Sequence, residues 1–81
     1  MKIGTVIEMI FTELRNAEEK HPGWPDDEIH AVGIMVEEAG EAMQAALDHH
    51  YRNAPIENLI KELAQTGAMV IRAMLNFKED K

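Results

Sequence analysis

The chain contains no cysteine. Neither a disulfide framework nor a thiolate metal site can exist in it, and nothing in its composition requires an oxidising compartment. Aromatic residues are almost as scarce, with two Phe, one Tyr and one Trp. Because 46% of the residues are nonetheless hydrophobic, the interior must be aliphatic and rich in Met, which suits helices better than sheets. Basic residues are few: eight Lys and Arg face fifteen Asp and Glu, a net charge of -7. That balance argues against affinity for nucleic-acid backbones or anionic membrane surfaces. Long apolar runs are missing too, so no segment is expected to span a bilayer. Met1-Lys2-Ile3-Gly4-Thr5 leads straight into a segment carrying Glu8 and Glu13, without the apolar core of a signal peptide. A soluble cytoplasmic protein is the expectation. At 81 residues the chain reads as a single domain, residues 1–81, with little interior of its own, and a homodimer or homotetramer is expected.

What is present is helical periodicity. Ile3, Ile7, Ile10, Phe11, Leu14 and Ala17 recur at the spacing of one helix face, predicting a helix over residues 3–20. His21-Pro22-Gly23-Trp24-Pro25 then stops it. Pro25 followed by Asp26, Asp27 and Glu28 reads as the opening of a second helix over residues 26–49. Its apolar stripe is Ile29, Val32, Val36, Ala39, Met43 and Ala46, with Glu37, Glu41, Gln44 and Asp48 on a polar arc and Glu38 at the arc's edge. The pattern breaks around Tyr51-Arg52-Asn53-Ala54-Pro55, and a third helix is expected over residues 55–77. One side of it carries Ile56, Leu59, Leu63, Gly67, Val70, Ile71 and Met74; the other carries Asn58, Glu62, Gln65, Met69, Arg72 and Asn76. Lys78-Glu79-Asp80-Lys81 is a charged end expected to fray. The expected architecture is all-α, a helical hairpin with an added first helix, assembling with copies of itself into a bundle.

The chemistry-bearing residues are acids on two successive helices. Glu38 and Glu41 stand three apart in Glu37-Glu38-Ala39-Gly40-Glu41, and Glu62 follows in Lys61-Glu62-Leu63-Ala64-Gln65. Residues three apart on a helix project from the same side, so the two segments can offer carboxylates to one gap. Grouped carboxylates repel one another, and a divalent cation removes the penalty. Hard oxygen ligands suit Mg²⁺, which lowers the pKa of bound water and neutralises charge on phosphates. The same acids also read as solvated glutamates on good helix-forming segments, since Glu-x-x-Glu is a common spacing.

These two segments resemble the MazG-like, all-α nucleoside triphosphate pyrophosphohydrolases, a family marked by Glu-Glu-x-x-Glu on one helix and Glu-x-x-Asp on the next. The resemblance runs from the first helix through the third and includes a Trp-containing loop ahead of the acidic helix. It implies Mg²⁺-dependent cleavage of a nucleoside triphosphate to monophosphate and pyrophosphate. By position, Glu38, Glu41 and Glu62 would be catalytic and would bind the metal, with Glu37 beside them. Where the family has aspartate, this chain has Gln65, whose amide oxygen can bind a metal but brings no charge. Two alternatives therefore stand: an attenuated nucleotide-binding or oligomerisation module, and an enzyme similar to phosphoribosyl-ATP pyrophosphatase.

Other residues are candidates for contact with substrate. Trp24 can stack on a base or plug the first turn of the second helix. Lys61 and Arg72 can meet a triphosphate tail or pair with glutamates. Asn58, one turn before Glu62, can hydrogen-bond a base, a sugar or a metal-bound water. His21 and His30 flank the loop, and His49 and His50 complement the end of the second helix.

Overall fold

A computed structural model describes residues 1–77, and over them the chain forms three helices and no strand. They are α1 (Ile3–Lys20), α2 (Glu28–Arg52) and α3 (Ile56–Asn76). The end expected to fray, residues 78–81, lies outside the described residues. No helix among the described residues is long and apolar enough to cross a membrane.

The helix boundaries follow from capping chemistry. Periodicity alone predicts those of α1, but α2 starts later and ends later than expected. Asp27 is its N-cap, accepting a hydrogen bond from the Ile29 amide at 3.2 Å, so Pro25 shapes the preceding loop instead of occupying the first turn. At the other end Asn53 takes a left-handed conformation (φ 57°) and its N–H returns to the Asp48 carbonyl. Asn tolerates that region better than other side-chain-bearing residues, which lets α2 continue to Arg52. Pro55 is extended (φ -57°, ψ 138°) and sits just before α3.

α3 is the central element. α1 and α2 both pack on it and not on each other, leaving a cleft between them that α3 floors. Small side chains bring the axes together: Ala64, Ala68 and Ala73 are buried on α3, and Ala31 and Ala42 on α2. At Gly67 an added Cβ would meet Ile10 Cδ1 at 3.2 Å, so glycine there lets α1 lie close.

The faces that meet inside the chain coincide only in part with the apolar stripes that periodicity singles out: Ile10, Leu14, Ala39, Ala46, Leu59 and Ile71 are half-buried, but other members are not. Met69 and Arg72, on the polar side of α3, are buried, whereas Leu63 is 53% exposed and Met74 70%. On α2, Val36 is 58% and Met43 60% exposed. On α1, Ile3, Ile7 and Phe11 are exposed, while Glu13 is half-buried. Among the described residues no large side chain is fully buried.

Arg72 ties the loop to the helices. It is 4% exposed and donates to the carbonyls of Ala17 at 3.4 Å, Gly23 at 3.2 Å, and His21. Its guanidinium lies 4.8 Å from the centre of the Trp24 ring. A planar fork of donors can satisfy several carbonyls at once, and here it anchors the end of α1 and the loop after it to α3.

Candidate functional site

The acids of α2 and α3 converge in the groove between those helices. One carboxylate oxygen from each of Glu38, Glu41 and Glu62 lies within 4.8 Å of the others. Helical spacing puts Glu38 and Glu41 on the same side of α2, and the antiparallel return of α3 brings Glu62 opposite them. In an octahedral Mg²⁺ shell with ligands at about 2.1 Å, adjacent oxygens stand about 3.0 Å apart and opposed ones about 4.2 Å. Side-chain rotations that draw the oxygens together by about 1–2 Å would bring all three onto one ion.

Two details mark these acids as different from solvated ones. The Oε2 atoms of Glu38 and Glu62 are buried and have no hydrogen-bond partner, a costly state for a charged acceptor. Both carboxyls are also held above their ordinary range. For Glu38 the causes are burial first, then the charges of Glu41, Glu62, Glu37 and Glu13. For Glu62 burial again leads, followed by the charge and close approach of Glu41; Lys61 opposes the shift. An oxygen-only set with orphaned, electrostatically crowded atoms fits a hard divalent cation.

Cavities open on both sides of the triad. One, of about 260 Å³, lies between the end of α1 and the groove, and Glu38, Gln65 and Met69 line it together with Glu13, Asn16, Lys20 and His21. The other, of about 340 Å³, lies toward the hairpin turn and is lined by Glu41, Glu62, Gln44, Asp48 and Asn58 among others. The acids thus stand between a space that Lys20 borders and one that is polar and acidic.

The remaining candidates divide. Asn58 and Gln65 are brought beside the acids, each lining one of these cavities. Gln65 donates from Nε2 to Glu13 Oε1 at 3.3 Å. Glu37 is exposed and reaches the site through its charge. Lys61 is exposed and borders a separate hollow with Glu8, Glu13 and Glu57. Arg72 and Trp24 line neither cavity; they are engaged with each other, and Arg72 with the loop carbonyls.

The residues not anticipated are on α1. Glu13, Asn16 and Lys20 enter the site at positions i, i+3 and i+7 of a helix face, with Ala17 between them. The signal lies in the run Val6, Met9, Ile10, Glu13, Ala17: this inward stripe begins apolar and turns polar at Glu13. No family model, curated protein or solved structure matched the chain on comparison.

Proposed function

We propose that this protein is a Mg²⁺-dependent nucleoside triphosphate pyrophosphohydrolase that converts (d)NTP to (d)NMP and pyrophosphate, clearing nucleotides from the cytoplasmic pool as a homodimer or homotetramer. The observation that carries the reading is the meeting of Glu38, Glu41 and Glu62 with two buried, unpartnered carboxylate oxygens among them. Both motif segments that resemble the MazG-like enzymes supply these three side chains.

Glu38, Glu41 and Glu62 would hold the ion, with the Gln65 amide close by. When bound, Mg²⁺ would supply an acidified water and charge neutralisation on the phosphates. Lys20 and His21, at the rim of the 260 Å³ cavity, are placed to meet phosphate oxygens. Asn58, in the other cavity, offers an amide to a base or sugar. Water oxygen joins the α-phosphorus, the bond from that phosphorus to the bridging oxygen breaks, and pyrophosphate leaves. A site carboxylate not engaged on the ion would take the water's proton.

The test is pyrophosphate release from a panel of NTPs and dNTPs with Mg²⁺, alongside the Glu38→Gln and Glu62→Gln variants. Turnover that both substitutions abolish is expected. Wild-type release no greater than that of the variants would refute the enzyme reading and favour a second one, an attenuated nucleotide-binding module. That alternative draws on the neutral amide of Gln65, turned toward Glu13, where the resembled family has an acid. Including phosphoribosyl-ATP in the panel distinguishes the related pyrophosphatase chemistry.

A further inference from the structure

We propose that Glu13 is a positioning residue of the cation site: from α1 it turns the Gln65 amide toward the ion and supplies the negative charge that position 65 does not carry. The proposal rests on the metal reading above, and its experiment separates the two. Packing places Glu13 there. Ile10 lies against Gly67, where an added Cβ would meet its Cδ1 at 3.2 Å, and Glu13 follows Ile10 by three residues on the same side of α1. Gln65 stands two residues before Gly67 on α3. The half-buried Glu13 therefore meets Gln65 and accepts from its Nε2 at 3.3 Å.

The consequence lies in the two ends of an amide. An ionised carboxylate only accepts, so Gln65 must turn its NH₂ toward Glu13 and its carbonyl oxygen away. An aspartate offers oxygen at either end and needs no such control, whereas an unrestrained glutamine can present hydrogens to a cation as readily as oxygen. Glu13 decides between them. Gln65 lines the same cavity as Glu38 and follows Glu62 by three residues on α3, which puts its oxygen within the neighbourhood of those two acids. Charge is the second contribution. Among the described residues no Lys or Arg pairs with Glu13, and its hydrogen-bond donor is the neutral amide. Its charge reaches both Glu38 and Glu62, adding to what holds those carboxyls up. An uncompensated anion acting on two buried carboxylate oxygens that also lack partners costs the metal-free chain stability, and a cation relieves it. Glu13 is not among the acids whose oxygens gather within 4.8 Å, so it acts through Gln65 and through its field instead of as a ligand. Groups that orient metal ligands in this way are worth about 10- to 100-fold in affinity.

The experiment is Mg²⁺ affinity by isothermal titration calorimetry, with melting temperature in EDTA, for wild type, Glu13→Gln, Gln65→Asp, the double variant, Glu62→Gln and Glu18→Gln. Glu13→Gln is expected to bind Mg²⁺ at least about tenfold more weakly than wild type and yet to melt no lower without metal, because a repulsive charge has gone. Loss of both together would mark a packing role and overturn the proposal. In the Gln65→Asp background the same substitution should cost several-fold less affinity, since a carboxylate at position 65 needs no turning; equal cost in both backgrounds would overturn the coupling between the two residues. Glu18→Gln removes an exposed charge of the same helix and should change affinity less than about threefold; a loss matching that of Glu13→Gln would reduce the effect to net charge and overturn it. Glu13→Gln within about threefold of wild type, while Glu62→Gln abolishes binding, would overturn the role of Glu13 and leave the metal site standing. A wild type that binds no Mg²⁺ would overturn both.

Discussion

Gln65→Asp places a carboxylate where this chain has an amide, and the structure says what that charge would meet. Gln65 now donates to Glu13 at 3.3 Å. Aspartate removes that donor, at a cost of about 1 kcal/mol, and sets a second anion near Glu13. At about 5 Å and an effective dielectric constant of about 20, two unit charges repel by about 3 kcal/mol. Because both groups are only part-buried, solvent screening reduces this to about 1–2 kcal/mol. The metal-free variant should therefore be less stable than wild type by about 2–3 kcal/mol at pH 7.5, a fall in Tm of roughly 8–24 °C for a chain of this size.

Saturating Mg²⁺ should reverse much of that loss, because the added carboxylate is a better ligand than the amide and metal binding to the folded state is linked to its stability. The assay is thermal unfolding followed by circular dichroism, with EDTA and with Mg²⁺. At pH 4 the metal-free difference should shrink, because protonating the new carboxyl removes the repulsion. An EDTA-treated variant as stable as wild type at pH 7.5 would refute this account of the Gln65–Glu13 pair. Equal Mg²⁺ stabilisation of both proteins would show that position 65 does not reach the ion.

The pH dependence of the wild type follows from the raised carboxyls of Glu38 and Glu62. A carboxyl whose folded pKa lies above its unfolded value binds its proton more tightly in the folded state. Its contribution to stability is complete below the unfolded pKa and is lost as pH rises through the folded one. Metal-free stability from these two groups should therefore decline from about pH 4.5 upward, while Mg²⁺ stabilisation, which needs them ionised, should grow over the same interval; titration melts with and without Mg²⁺ check both trends. Arg72→Ala should cost about 3 kcal/mol or more, because it leaves loop carbonyls without their donor and removes the cation from Trp24. Arg72→Lys should recover less than half of this, since an ammonium cannot reproduce the planar fork, and Trp24 fluorescence reports whether the loop is displaced. Gly33 lies inside α2, and a Cβ added there would meet nothing within 4 Å. Gly33→Ala should add about 1 kcal/mol to helix stability if that side of α2 faces only solvent, but weaken self-association if a second copy approaches there. Molar mass and Tm together separate the two outcomes.

The helices were legible because their apolar residues keep helical spacing and because Pro22, Gly23, Pro25 and Pro55 punctuate them. The triad was legible for a related reason: Glu38 and Glu41 share a side of one helix, and a hairpin brings Glu62 opposite. Periodicity could not say which side of each helix its own chain would cover. An apolar stripe reports that water is to be excluded, not whether an intramolecular neighbour or another molecule excludes it. Arg72 shows the same limit, since its partners are backbone carbonyls of residues that sequence spacing does not connect to it. Glu13 became visible only through the packing of α1 on α3.

The two departures have a common physical cause. To bring carboxylates on α2 and α3 within 4.8 Å of one another, the helices must turn their acidic sides inward and approach closely, which alanines at the contact permit. Val36 and Met43 are then directed outward from α2, and Leu63 and Met74 from α3. An acidic groove inside the hairpin and an apolar surface outside it are thus two results of a single choice of helix rotation. The rotation leaves like charges grouped within the chain and hydrocarbon facing water, neither of which the isolated chain relieves. A cation in the groove would offset the first. Mg²⁺ should therefore raise the melting temperature of the wild type, and substituting Glu62 by Gln should abolish most of that gain.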